Sequence, residues 1–190
     1  MRKNLARTAA LACGLAGLLA AAGCSSGASS GGSGQPSWAS ALGSGVTVDA
    51  PAQVSAGTGS PAAAVEGVLT AVGSGNYAQE CNYVEPSEQS DCNTAAAGFN
   101  SADSPSFKNV QIGYVAIDGT QALVGATGTF CVPNETPKCY TNNDPAAIFT
   151  TKKSFSALWT QTNKASSANT YSLAPCIEIS GKWYVYTPSS

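Results

Sequence analysis

The feature that most restricts how this chain can fold is an apolar run near the amino terminus, which ends at Cys24. Three basic residues precede it: Arg2, Lys3 and Arg7. A basic start, an apolar segment and small residues, in that order, are typical of a secretory signal peptide. The apolar segment is shorter than the roughly 20 residues that a membrane-spanning helix needs. We therefore expect residues 1–23 to be removed and the rest of the chain to fold outside the cytoplasm.

The four residues that end this run resemble the bacterial lipobox, in which leucine, a small residue, Gly or Ala, and cysteine usually follow one another: Ala21, Ala22, Gly23 and Cys24. Ala21 stands where leucine is usual. The resemblance implies a diacylglyceryl group on the Cys24 sulfur, acylation such as palmitate, and an anchor in the outer face of the cell membrane. The alternative is a soluble secreted protein with an unmodified Cys24. Cys13 is expected to leave with the signal peptide.

The charge of the remaining chain excludes one class of partner. Removing the signal peptide takes away three of the nine Lys and Arg residues and none of the eleven Asp and Glu residues, which leaves an acidic chain. A nucleic-acid-binding protein needs a basic patch that neutralises phosphates. We therefore expect no nucleic-acid partner.

Residues 24–60 are rich in Gly, Ser and Ala, with scattered Pro. Such a segment cannot bury enough apolar surface to offset the entropy of ordering it, so we predict a disordered tether. A flexible chain of this length has a root-mean-square reach on the order of 30 Å. Trp38, Leu42 and residues 46–48 interrupt the pattern. We interpret them as apolar residues within the linker, with a strand that docks on the domain as the alternative.

Residues 61–188 are expected to form a single domain of ordinary size. Ser60 can cap a first helix and Pro61 suits its first turn. Four apolar residues then recur at helical spacing: Val65, Val68, Leu69 and Val72. This helix is expected to stop at residues 73–75. Two shorter helical segments are predicted downstream, from Asn76 to Pro86 and over about 87–97.

After these helices the apolar residues alternate, which predicts strands and hairpins. One hairpin is predicted around Asp118–Gly119 and a second around Ser180–Gly181. Between them we predict a strand at 148–151, a short helix beginning near Phe155 and a loop over 160–170. The expected fold is therefore α+β, with N-terminal helices packed across one face of a curved antiparallel sheet of four or more strands.

Several short motifs in this order resemble small actinobacterial lipoproteins with a nuclear transport factor 2-like (cystatin-like cone) domain. They are the segment 75–81, Pro86 with Cys92, and the terminal Gly181-Lys182-Trp183-Tyr184-Val185. The resemblance implies a cone-shaped domain that can enclose a pocket.

Five cysteines remain in an oxidising setting once Cys13 and Cys24 are set aside. We predict two local bridges, between Cys81 and Cys92 and between Cys131 and Cys139, which leave Cys176 over. A bridge from Cys176 to Cys131 or Cys139 is the alternative. Without bridging, Cys176 is expected to be buried and inert.

The chain contains no histidine, which removes the usual base of Ser and Cys hydrolases and most zinc sites. No Cys-x-x-Cys and no phosphate-binding Gly loop occurs, so neither a metal nor a cofactor is expected. One enzymatic alternative follows from the cone resemblance, namely an isomerase- or hydrolase-like site. Glu178 would be its base, and Tyr114 or Tyr184 would donate to an oxyanion.

We expect a non-catalytic module of the cell envelope that binds a small apolar ligand in the cone or an envelope protein on the sheet. Seven residues are candidates for lining the pocket: Tyr114, Phe130, Phe149, Trp159, Glu178, Trp183 and Tyr184. The competing interpretation is that most of these residues form the core.

Overall fold

The computed structural model describes residues 35–51, 53–99, 106–131, 139–151, 154–164 and 172–186. These residues form an α+β unit built on a six-stranded antiparallel sheet. The strands are β1 (Thr47–Asp49), β2 (Ser106–Asp118), β3 (Gln121–Cys131), β4 (Cys139–Asn142), β5 (Leu173–Ile179) and β6 (Lys182–Val185). The helices are α1 (Pro61–Gly73), α2 (Tyr77–Glu80), α3 (Gln89–Ala97), α4 (Ala147–Thr150), α5 (Phe155–Lys164) and a 3-10 helix (Ser37–Leu42). The predicted signal peptide and Cys24 lie outside the described residues.

The first three α-helices begin where the sequence predicts them. The Ser60 hydroxyl accepts a hydrogen bond from the Ala63 N–H at 3.1 Å, and Pro61 occupies the first turn of α1. The Asn76 side chain caps α2 in the same way, accepting from the Gln79 N–H at 3.2 Å. Helix α3 lies within the third predicted segment. The three predicted helices are present, but α2 ends at Glu80, well before the predicted end at Pro86.

Strand β3 lies at the centre of the sheet. Strand β2 pairs along one of its edges, and β5 and β4 share the other edge, with β5 beside Gln121–Gly125 and β4 beside Gly128–Cys131. Ala126 lies between these two partners. Its N–H donates to the Ser172 carbonyl and its carbonyl accepts from the Asn142 amide, both at 2.8 Å. The sheet therefore divides at Ala126 without leaving the backbone of that residue unpaired.

Both predicted hairpins form. Ser180 and Gly181 connect β5 to β6, and both have positive φ, as a two-residue turn of type I′ requires. The β2–β3 turn lies one residue later than predicted, at Gly119 and Thr120, because Asp118 still pairs with Gln121. Gly119 adopts a φ of 59°. The glycine takes the left-handed conformation, and the aspartate ends the strand.

The sheet has a core on each face, because alternate residues of a strand point to opposite sides. On the first face, Val115, Val124 and Cys176 pack against α1, and we call it the α1 face. On the second face, Ala116, Leu123 and Leu173 pack against residues of the 3-10 helix, α4 and α5. We call it the Trp38 face. Helix α1 covers one face of the sheet as predicted, and the 3-10 helix, α4 and α5 cover the other face, which was not predicted.

The segment around Trp38 belongs to this second core and is not part of a free linker. Leu42 is 2% exposed and Val48 is 6% exposed. Strand β1 pairs with β2, with Val48 opposite Ala116. The Trp38 ring stacks on the Phe149 ring at 5.3 Å. Our interpretation of these residues as linker is therefore wrong, and the packed part of the chain begins upstream of residue 61.

Two further predictions between the hairpins need correction. Residues 148–151 were expected to form a strand, but Ala147–Thr150 form helix α4. The Asp144 carboxylate accepts from the Ala146 N–H at 2.9 Å, and the Ala146 carbonyl accepts from the Thr150 N–H at 3.2 Å, so a turn begins there. Helix α5 is confirmed, but it continues to Lys164, into the predicted loop. Residues 165–170 lie outside the described residues.

Candidate functional site

The two predicted disulfides are present. Cys81 is bonded to Cys92, and Cys131 is bonded to Cys139. Cys176 is a free cysteine, fully buried, with its sulfur 3.8 Å from the Pro61 carbonyl oxygen. Burial raises the pKa of this thiol above its usual range. Because the thiolate is the reactive form, Cys176 is an inert core residue in the folded protein.

The sheet separates the aromatic residues that were predicted to line one pocket. Phe130 and Trp183 lie in the core of the α1 face, 1% and 9% exposed. Tyr114, Phe149 and Trp159 lie on the Trp38 face. Residues on opposite faces of a sheet cannot line one cavity within either core. The structure therefore divides these candidates into two separate groups.

The proposed acid–tyrosine pair is also divided. Glu178 pairs with Trp183 across β5 and β6, so its side chain lies on the α1 side of the hairpin. Tyr184 follows Trp183 in the strand and points to the opposite side. Tyr114 packs in the Trp38 core. Glu178 therefore meets neither tyrosine, and the fold does not assemble the arrangement that a proton transfer between them needs.

Aromatic stacking organises the Trp38 face. Trp159 stacks between Phe155 and Tyr186, with ring centroids 6.1 Å and 5.6 Å away and interplanar angles of 15° and 19°. Trp38 adds an edge-to-face contact with Tyr114 at 5.1 Å. Such pairs are worth roughly 0.5–1.5 kcal/mol beyond the area that they bury. These rings hold the amino-terminal segment and α5 on the sheet.

Glu80 is a buried acid that sequence reasoning missed. It is the last residue of α2, and only 4% of its surface is exposed. Burial raises the pKa of its carboxyl to about 8. A four-residue helix shows no periodicity from which the buried side could be identified, so the sequence carries no signal for this position. Glu80 makes α2 sensitive to pH.

A second buried polar group lies where the sheet divides. The Ser172 hydroxyl is fully buried and has no hydrogen-bond partner within the described part of the chain. The Asn142 amide beside Ala126 is 7% exposed and donates to the Ala126 carbonyl. Its oxygen accepts from the Asp144 N–H at 3.3 Å. Both polar side chains thus lie at the interruption between β4 and β5, which the sequence does not reveal.

Over the described ranges, no group of three or more His, Cys, Asp or Glu side chains is placed to hold a metal ion. None of the helices in those ranges combines the length and the apolar character that crossing a membrane requires.

Comparison with known proteins does not extend these observations. A scan against protein-family models, a search of curated proteins and a search of solved structures each found no match.

Proposed function

We propose that this chain is a lipid-anchored protein of the cell envelope, held by a diacylglyceryl group on Cys24, and that its α+β domain binds a protein partner without catalysing a reaction. The amino-terminal sequence supports the anchor. Two disulfides are typical of proteins that fold in an oxidising compartment. We further propose a relation to the nuclear transport factor 2-like domains, on the motifs quoted above and on an amphipathic helix lying across an antiparallel sheet.

One observation carries the choice of a protein partner over a small ligand. The aromatic candidates are split by the sheet, and those that fill the cores have little surface left for a ligand: Phe130 and Phe149 are each 1% exposed. A small apolar ligand would have to displace rings that pack on one another. Recognition is therefore assigned to the outer surface of the domain, where protein partners bind.

The anchor is tested by the intact mass of unreduced protein extracted from membranes and alkylated. We expect the mass of a diacylglyceryl group on Cys24. Native alkylation should add nothing, because Cys176 is buried and four cysteines are bonded. Alkylation in denaturant should add one group, at Cys176. Two added groups without a lipid mass would overturn the anchor.

The partner is tested by native mass spectrometry of the protein extracted in mild detergent. A complex with a second polypeptide is expected. Protein that carries instead a stoichiometric apolar small molecule would overturn this proposal in favour of a ligand pocket. A Cys24→Ser variant prepared in the same way serves as the control, because this variant keeps the domain and lacks the predicted anchor.

A further inference from the structure

The β5–β6 hairpin carries apolar side chains that the fold leaves partly uncovered. Ile177 pairs with Tyr184 and Ile179 with Lys182, so all four side chains lie on the Trp38 side of the hairpin, opposite Trp183. Ile177 and Tyr184 are half-buried, and Ile179 is the large apolar residue that stands out as exposed, at 36%. We call these four residues the hairpin patch.

The surroundings of the hairpin patch are aromatic. Tyr186 continues the same side of β6 and stacks on the half-buried Trp159 ring of α5. Tyr and Trp combine an apolar ring with a polar tip, and they favour the interface between water and lipid headgroups. The exposed isoleucine adds an apolar side chain to this surface, and the stem of the neighbouring lysine can lie along apolar surface.

We propose that the hairpin patch rests on the surface of the lipid bilayer. The orientation of the amino-terminal segment supports this occupant. The 3-10 helix Ser37–Leu42 packs on the Trp38 face, so the described chain begins on the same side of the sheet as the hairpin patch, near the edge opposite β6. The inference rests on the proposed lipid anchor in this respect.

The length of the remaining tether also supports a membrane contact. Because the chain is packed from Ser37 onward, only residues 25–34 lie between Cys24 and the described part. Gly- and Ser-rich chain of this length has a reach of about 18 Å. A folded unit of this size has a radius of gyration of about 14 Å. An anchor at Cys24 therefore keeps the Trp38 side of the domain within reach of the bilayer.

Charge determines which bilayer the patch fits. Lys182 is the basic group of the patch. Asp118 lies on the same side of the sheet, because it pairs with Gln121, which in turn pairs with Ile177 of the patch. Attraction to anionic lipid by a basic cluster is therefore not available. We assign binding to insertion of Ile179 and the aromatic rings, which a zwitterionic surface accepts.

The test couples the mature chain to the bilayer by chemistry that does not depend on lipidation in the cell. Maleimide-lipid vesicles of phosphatidylcholine react with Cys24 alone, since Cys176 is buried and the other cysteines are bonded. Brominated acyl chains then quench tryptophans that approach the hydrocarbon. We expect brominated vesicles to lower the fluorescence by about a fifth or more, and Trp159→Phe to remove most of this quenching.

Matched variants decide the result. Ile179→Glu should reduce the quenching at least threefold, and Ile179→Ser should do so in part. Gln111→Glu adds the same charge at an exposed position of β2 outside the patch and should leave quenching unchanged. Circular dichroism checks that each variant is folded.

Equal fluorescence in brominated and plain vesicles would overturn the inference, as would equal loss in Ile179→Glu and Gln111→Glu. A concentration-dependent dimer of uncoupled chain that Ile179→Glu abolishes would instead make the hairpin patch an interface between copies. Absence of lipid on Cys24 in cells would refute the proposed function but not this inference, because the experiment attaches Cys24 to the vesicles chemically.

Discussion

Glu80 shows how one buried side chain can link the whole fold to pH. Burial disfavours the charged form and raises the pKa of its carboxyl from the ordinary value of 4.5 to about 8. The folded state therefore holds a proton in a pH range in which the unfolded chain has released it. Stability is highest below pH 4.5 for this group and is lost as the pH rises toward 8.

Replacing Glu80 with Gln should remove this dependence. For the wild type we expect Glu80 to lower the free energy of unfolding by roughly 2 to 5 kcal/mol between pH 4.5 and 8. The variant should be the more stable protein at pH 8. Urea unfolding at pH 5 and pH 8 measures both effects. A wild type and a variant with the same difference between the two pH values would contradict the assignment.

Gly67 lies where the Tyr83 ring approaches helix α1 closely. A Cβ atom at this position of α1 would lie 2.4 Å from the Tyr83 ring. The backbone of Tyr83 is held by hydrogen bonds to the Glu80 carbonyl and from the Val185 N–H, so the ring can move away only by rotation of the half-buried side chain. Alanine gains about 1 kcal/mol in helix propensity, and overpacking costs typically 1–3 kcal/mol.

Gly67→Ala should therefore destabilise the protein by up to about 2 kcal/mol. Gly59→Ala is the control, because a Cβ at Gly59 meets nothing within 4 Å. We expect the control to remain within about 0.5 kcal/mol of the wild type. Thermal unfolding of both variants measures the difference. A stabilised Gly67→Ala variant would show that the Tyr83 ring moves aside at little cost.

Among the elements, the 3-10 helix covers the Trp38 face of the sheet, and β1 adds an edge strand beside β2. Together they pack on Ala116 and Leu123, which are fully buried, and on Phe149. The apolar side chains of this segment contribute roughly 1.5–3 kcal/mol each when fully buried. The segment therefore contributes to the free energy of unfolding, whereas a surface linker would not.

Two truncations of the mature chain test this cover. Deleting residues 24–34 should leave the free energy of unfolding unchanged. Deleting 24–49 should lower it by roughly 3 kcal/mol or more, since it uncovers the Trp38 face. Urea unfolding compares the two chains. Equal stabilities would mean that residues 37–49 do not hold the sheet.

The two disulfides lie in different surroundings. Cys81 and Cys92 are 1% and 5% exposed, and they join the end of α2 to α3. Cys131 and Cys139 are a directly opposed pair of β3 and β4, in which Cys139 is exposed. Exchange with a thiol requires that the attacking thiolate reach a sulfur.

Native treatment with dithiothreitol should therefore open Cys131–Cys139 first. Alkylation and peptide mapping during the reaction should find label at these two cysteines before any appears at Cys81 or Cys92. In denaturant the difference between the bridges should disappear. Labelling of Cys81 and Cys92 first under native conditions would contradict the expected order.

For the molecule as a whole, the two cores share β3. Leu123 belongs to the Trp38 face and Val124, the next residue, to the α1 face. Loss of either core removes the support of the same strand, so we expect the domain to unfold in a single cooperative transition.

This cooperativity can be measured with tryptophans on either face. In Trp183→Phe, fluorescence reports Trp38 and Trp159 on the Trp38 face; with Trp38 and Trp159 both changed to Phe, it reports Trp183 on the α1 face. Within each variant, the urea midpoint by fluorescence should equal the midpoint by circular dichroism. Separate midpoints would show that the two cores unfold independently.

The features that could be predicted from the sequence are those that depend on neighbouring residues. Ser60 and Pro61 start a helix, Ser180 and Gly181 make a tight turn, and cysteines a few residues apart pair with each other. Each depends on local hydrogen bonds or short loop closure, so a short window of sequence contains the information. The α+β class and both hairpins followed from such windows.

The sequence does not show which of these parts share a core, because that depends on contacts between residues distant along the chain. The Trp38 ring stacks on the Phe149 ring, although the two residues are far apart in the sequence. The sheet separates Phe130 from Trp159, so the aromatic residues predicted to line one pocket lie in two cores. Glu80 and the short helix α4 likewise depend on what surrounds them. Burial and packing arise from residues distant in sequence, and an apolar pattern shows that a side chain is buried without showing against what.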